Sequence, residues 1–337
     1  MTQFSRRVLR RLRAVRDDMT VRLSMRRVHG PARVDLPDDG VGVVALMRDA
    51  AYFAEGFLTH HLRLGVAHVV VLDNGSSDRT AEIAAGFDRV TVLRCDLPAR
   101  MHECRMRARA ARAVFRGGWT LFADADEMFG FAGDDRQGIS ALAAYAGRHG
   151  YDCVMAQMLD LFGEDAEGPY PQAVAAMDRW TDAGLERLPY HTDQIDFGWF
   201  LQGNVAEYPG LRLHRGGVRR VMFGENPFLT KHALVRNAPG IDPIPHPHCA
   251  RGVRVADVTA VVRHYKLAGD WQARDRASLA ARLWDHAEDA RRLDAAARPG
   301  FRLDVPGARP FTGALGLLED GFLVASDRYR AEMLRPD

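Results

Sequence analysis

From residue 41 onward, apolar stretches of strand length alternate with segments whose apolar positions recur at helical spacing. Val41 to Met47 is an apolar run, and Tyr52 to Leu64 carries helical periodicity that closes at Gly65. Val69 to Leu72 is a β-branched run ending in Asp73-Asn74-Gly75-Ser76-Ser77-Asp78, and helical spacing resumes from Thr80 to Ala85. Val90 to Leu93, a helical segment from Met101 to Phe115, and a strand from Trp119 to Ala123 follow, the last running straight into Asp124-Ala125-Asp126-Glu127. Ile139 to Ala146 reads as a helix, Cys153 to Phe162 as a strand, Val258 to Val262 as a late strand, and Trp271 to Arg298 as one long helix. This alternation predicts an α/β domain with a mostly parallel central sheet. Between Gly163 and Pro209 the periodicity fails, and Pro, Gly and aromatic residues predict long loops of the kind that form binding or lid segments.

The first forty residues differ. Val8, Leu12, Val15, Met19 and Leu23 fall on one face of a helix, with arginines filling most of the rest. Pro31 to Gly40 has the Pro, Gly and Asp content of a linker. The expected organisation is a basic amphipathic arm over 1–37, an α/β domain over 38–268 and a helical C-terminal extension over 269–337.

Composition narrows the class. Of 337 residues, 47% are hydrophobic and 27% charged, an ordinary globular balance that excludes disordered and fibrous chains. No apolar stretch reaches the length of a membrane span, and no apolar segment follows the basic N-terminus to make a secretory signal. The four scattered cysteines, with no C-x-x-C pair, fit a reduced cytoplasmic protein. Net charge is only +2, yet residues 1–33 hold ten arginines against Asp17 and Asp18, so the remainder is net acidic. Residues 5–27 can therefore lie on an anionic membrane surface at the inner face of a membrane; an ordinary helix packed on the body or on a partner has the same pattern. Nucleic acid is not expected, since no aromatic residues interleave with the charge. Lysine survives only at Lys231 and Lys266 in a chain that otherwise uses arginine.

Both acidic clusters, 73–78 and 124–127, fall at the carboxyl ends of strands, where parallel sheets bind ligands. Two carboxylates two residues apart, Asp124 and Asp126, suit Mg²⁺ or Mn²⁺, which take oxygen ligands from one or two carboxylates and from substrate phosphates.

The segments VVALMRDAAYFAEGFLTHHLRLGVAHVVVLDNGSSDRT and WTLFADADEMF, in that order and spacing, resemble the family 2-like glycosyltransferases of the GT-A fold, in their D-x-D-E-F subgroup. The likeness covers roughly residues 41–130, and a weaker one continues through HRGGVRRVMFG, LTKHALVR and VVRHYK to about residue 268. It implies a GT-A domain with helical extensions at both ends and transfer of a sugar from a nucleotide-diphospho-sugar, with a UDP-sugar favoured, to a glycan or lipid-linked acceptor. Inverting hexosyl transfer in bacterial surface polysaccharide or glycolipid assembly is the implied setting.

The resemblance also implies site residues. Asp49 and Asp73 would contact base and ribose, with Arg48 and Asn74 beside them; Asp124 would face the ribose or the metal, and Asp126 would ligate the metal bridging the diphosphate. The family commonly reads Arg-Asn-Glu where this chain has Arg48-Asp49-Ala50. His264 is the candidate third metal ligand, with His246 and His248 as rivals. Lys231, Lys266, Arg219 and Arg220 are candidate phosphate partners. An inverting transfer needs a general base, for which Asp193, Asp196 and Glu225 are the candidates. Trp180 and Trp199 can stack on a sugar face. Two other readings stand beside this one. A dinucleotide-binding oxidoreductase lacks its G-x-G-x-x-G, since Arg48-Asp49-Ala50-Ala51 occupies that place. A non-catalytic nucleotide- or glycan-binding scaffold on the same fold is the second.

Overall fold

The computed structural model describes residues 3–162, 203–283, 287–303, 305 and 309–335, together with the backbone of 179–180 and 185–189. Asp193, Asp196 and Trp199, and the side chain of Trp180, lie outside the described residues, as does most of the 163–209 stretch expected as loops.

Nine strands form the central sheet: β1 (Arg26–His29), β2 (Val41–Met47), β3 (His68–Asp73), β4 (Val90–Arg94), β5 (Trp119–Asp124), β6 (Glu127–Gly130), β7 (Cys153–Asp160), β8 (Thr230–Arg236) and β9 (Val255–His264). Their spatial order is β1-β4-β3-β2-β5-β8-β7-β9-β6. The contiguous block β4-β3-β2-β5 is parallel, as the alternating pattern predicts, and β9 runs parallel to β7. The other four pairings are antiparallel. The sheet is therefore mixed rather than mostly parallel. Two of the antiparallel pairings come from β8, which enters between β5 and β7 and runs against both, and two from the edge strands β1 and β6; the buried Lys231 and His232 of β8 interrupt the apolar run that would have announced it.

Both faces of the sheet are covered, and side chains along each strand alternate between two cores. On β2, Val41, Val43, Ala45 and Met47 enter one core while Val44 enters the other; on β3, Val69 and Val71 oppose Val70 and Leu72. The helix α2 (Ala51–Arg63) covers the first face with Phe53, Ala54, Phe57 and Leu58, a spacing of one helical stripe. Following α3 (Thr80–Ala85), α4 (Ala99–Val114) covers the second face, and α5 (Ile139–Arg148) returns to the first.

The N-terminal arm is α1 (Gln3–Ser24). Its Val21 is buried in the second core, and Asp17 lies 3.7 Å from Arg105 of α4. At the other end, the expected single helix over 271–298 is two helices, α7 (Trp271–Ala280) and α8 (Glu288–Ala296); just past α7, Arg282 takes a left-handed backbone. Two more helices follow, beyond a short α6 (Gly217–Phe223) that precedes β8: α9 (Gly313–Glu319) and α10 (Asp327–Met333). Leu317, Leu318, Tyr329 and Met333 enter the first core, so the C-terminal residues complete the same body. Among the described residues no helix is long and apolar enough to cross a membrane, and all four cysteines are free thiols.

Candidate functional site

The strand register brings the polar residues to one rim. Met47 faces Asp73, Leu46 faces Asp124, and His264 faces both Asp160 on β7 and Glu127 on β6. Because β8 runs antiparallel, its first residues, including Lys231, reach that same rim. The rim opens into a cleft of about 940 Å³ walled by the loop after β2, the first turn of α4, the Asp124–Glu127 turn, His246 to His248, and α7.

The loop after β2 is fixed by its own polar groups. Asp49 adopts a left-handed backbone with φ of 47°, a conformation Asp tolerates better than most residues. Its carboxylate accepts hydrogen bonds from the Ser77 amide at 2.7 Å, the Ser77 hydroxyl at 3.0 Å and the Asp78 amide at 3.3 Å. Partial burial opposes the charge, but those Ser77 and Asp78 donors and Arg48 hold the carboxyl below its usual range. Asp78 in turn accepts from the Ala51 amide, and the Thr80 hydroxyl from the Ala50 amide, so the D-N-G-S-S-D-R-T segment caps α2. Asp49, Arg48 and Asn74 all line the cleft. Asp73 does not line it: it is 1% exposed, and its oxygens accept from the Ser76 amide and from Arg94 at 3.2 Å. The residue expected at the ribose instead shapes the loop from beneath.

Asp124 is held by two cations. Arg107, buried on α4, and Lys231 on β8 both donate to its carboxylate, Lys231 at 3.3 Å, and Lys231 also donates to Glu127. Burial opposes ionisation, but Arg107 and Lys231 outweigh it and keep the Asp124 carboxyl far below its ordinary value. Burial also works against the charge on Lys231, and Asp124 and Glu127 overcome it, raising that pKa. The Glu127 carboxylate accepts from the Asp124 amide at 2.9 Å, which fixes the D-x-D-E turn. Lys231 is thus engaged by carboxylates at the cleft wall.

Asp126 faces His264, with Oδ2 3.5 Å from Nε2. On the other side of the ring, Nδ1 lies 2.5 Å from Asp160 Oδ1; a carboxylate only accepts, so Nδ1 carries the proton. Burial disfavours the imidazolium, yet Asp126 and Asp160 raise the His264 pKa to about 9. Asp126 is held well below the carboxylate range against its burial, chiefly by His264 and then Lys266. Asp160 falls to about 2, burial being outweighed by Arg219 and His264.

This donor set fits a divalent cation in part. A histidine whose far nitrogen is fixed by a carboxylate, with its near nitrogen beside a second carboxylate, is the arrangement that orients metal ligands. Asp126 supplies one donor, and His264 Nε2 a second once a cation displaces its proton. Among the described residues no three His, Cys, Asp or Glu side chains are grouped closely enough to hold a metal, and Asp124, expected as a ligand, is engaged by Arg107 and Lys231. The remaining positions would fall to substrate oxygens.

Of the other candidates, Lys266 lines the cleft, as do His246 and His248 beside Lys231; burial pushes both histidines down, His246 to about 4. Arg219 is buried on α6, donating to Asp160 at 3.0 Å and lying 3.9 Å from Glu225, while Arg220 is exposed. Glu225 is a poor general base here. It is wholly buried, 2.9 Å from Arg292 of α8, which also grips Asp275 at 2.7 Å and Asp289. Burial raises its pKa to about 7 against Arg292 and Arg219, but its place in this ion network keeps it out of the cleft wall.

Sequence reasoning missed Asp160, Arg107 and Arg292. Asp160 carried a signal, an acid closing an apolar strand. The two arginines were hidden by the abundance of arginine. It also missed Arg274, whose guanidinium lies 4.9 Å from the Phe53 ring centre and 5.4 Å from that of Tyr52, closing the α7 wall of the cleft.

No protein-family model matches the chain, and no curated protein matches it. Among solved structures, glucosyl-3-phosphoglycerate synthase from Mycobacterium tuberculosis with Mn²⁺, UDP and glucosyl-3-phosphoglycerate aligns over 41% of this chain and 50% of that one, at 20% identity and TM-score 0.25. The same synthase with Mn²⁺, UDP and phosphoglyceric acid gives 41% and 49% coverage, 20% identity and TM-score 0.25. A Methanothermobacter nucleotidyl transferase gives 37% and 62%, 15% identity and TM-score 0.21. The overlap spans about half the length of the synthase, and the functional reading rests on the site's own geometry.

Proposed function

We propose that this chain is a metal-dependent glycosyltransferase of the GT-A, family 2-like type, moving a sugar from a nucleotide-diphospho-sugar, a UDP-sugar by preference, to a glycan or lipid-linked acceptor. The observation that carries the reading is the Asp126–His264–Asp160 array at the carboxyl rim, inside a cleft large enough for a nucleotide sugar. Breaking the bond from sugar to diphosphate builds negative charge on the leaving group, and groups fixed before the reaction stabilise that charge most effectively. Mn²⁺ or Mg²⁺, if bound there, would supply Lewis acidity that stabilises this charge.

The chain's own residues have separate tasks. Asp126 and His264 would hold the cation, and Asp160 fixes the imidazole through its Nδ1. Lys266 lines the cleft close enough to Asp126 to depress its pKa, and it adds a positive charge for the diphosphate. Arg107 and Lys231 fix the orientation of Asp124, whose carboxylate is left to face the ribose. Arg48, Asp49 and Asn74 form the opposite wall, where the base would lie. Inversion requires a carboxylate to take the acceptor's proton. With Glu225 locked to arginines, Asp193 and Asp196 stay as the candidates for that role.

A thermal-shift panel of UDP-, GDP-, CMP- and dTDP-sugars, each with and without Mn²⁺, tests the reading. Stabilisation by one nucleotide class that depends on Mn²⁺ is expected, because a ligand that binds only the native state raises the melting temperature by mass action. No shift with any nucleotide sugar would overturn it.

A further inference from the structure

We infer that the outward face of α1 is a docking surface for an anionic lipid bilayer. Asp17 and Val21 hold α1 to the body, and successive residues on a helix are turned by about 100°. The apolar stripe therefore falls on the opposite side: Leu12, Val15, Met19 and Leu23 are 61%, 59%, 55% and 81% exposed. Four large apolar side chains in a row on one exposed helix face are a contiguous patch rather than scattered surface residues.

Charge selects the occupant. Arg16 and Arg22 are exposed beside the stripe, and Arg26 and Arg27 extend it along β1, next to an exposed Val28. An apolar stripe edged by arginine matches an interface in which acyl chains lie below anionic headgroups. A second copy of the chain fits less well, because a symmetric contact through this face sets arginines against arginines. A nucleic acid would answer the charge and leave the stripe in water.

The surface is also joined to the cleft. Arg26 is in register with Arg94 at the carboxyl end of β4, on the rim that carries the site. Met101, 64% exposed, follows Arg100 of the cleft wall and lies one turn before Arg105, the partner of Asp17. Docking through the outward face of α1 would leave α1 between the bilayer and α4. This inference stands apart from the transferase reading and would survive its failure.

Co-sedimentation of the full chain with vesicles tests it, comparing phosphatidylcholine alone with phosphatidylcholine carrying phosphatidylglycerol. The wild type is expected to pellet with the anionic vesicles only, less so as salt rises. Val15→Glu with Met19→Glu should lower that binding by about tenfold or more and leave the melting temperature unchanged, since both side chains face solvent. Equal binding to both vesicle types, no binding to either, or a wild-type dimer that the double variant splits would each overturn the inference.

Discussion

The imidazole of His264 and the carboxylate of Asp160 stand side by side on parallel strands, in register and 2.5 Å apart. That contact fixes which ring nitrogen looks into the cleft. Asp160→Asn keeps the shape of the residue and removes the charge that holds Nδ1–H. Mn²⁺ affinity, read by electron paramagnetic resonance, should fall by about 10–100-fold, and the melting temperature should fall too, because buried Arg219 loses the charge of its Asp160 partner. An unaltered affinity would show that Asp160 does not position the ring.

Lys231 is the buried cation shared by Asp124 and Glu127. Lys231→Met leaves two carboxylates facing each other with only Arg107 against them. Removing one partner of a buried ion pair costs about 3–5 kcal/mol, and urea denaturation should record a loss of that size. Adding Glu127→Gln to the same variant should recover part of it, because one uncompensated charge disappears with the substitution.

Acid should weaken the fold. Burial pushes His232 down to about 4, and its Nδ1 accepts from the Ala250 amide at 3.0 Å. Burial likewise lowers His60, assisted by Arg263, and His68, assisted by Arg89, each to about 4. A depressed folded-state pKa gives stability that is present above the unfolded value near 6.5 and is lost as pH falls towards 4. For His232 alone the loss on going from pH 7 to pH 5 is about 2 kcal/mol. Urea midpoints measured at both pH values should fall steeply in the wild type and by less in His232→Asn, whose side-chain oxygen can still accept from Ala250.

Most of the framework was legible because its strands are apolar on both faces. The strand over Val41 to Met47 and the helix over Thr80 to Ala85 fall where the periodicity places them, and the Asp124–Glu127 turn follows its strand directly. β8 was not legible. Its Lys231 and His232 point into the protein as partners for Asp124 and Ala250, so polar residues occupy positions that a strand pattern reserves for apolar ones. The site shows the same division. The cleft walls could be read from acids at strand ends, but the pairings across the rim depend on a register that no local pattern specifies. Asp73 and Glu225 show why: Asp73 accepts from the Ser76 amide and Arg94, and Glu225 from Arg292, partners that no local pattern announces.

The central claim is that Asp126 and His264 hold a divalent cation that in turn binds a nucleoside diphosphate. Calorimetric titration of UDP into the protein, with and without Mn²⁺, tests it most directly when repeated on Asp126→Ala. The account predicts UDP binding that weakens by about tenfold or more when Mn²⁺ is withheld, and a variant that binds UDP no better with the metal than without it. UDP affinity that is the same with and without Mn²⁺, in wild type and variant alike, would contradict it.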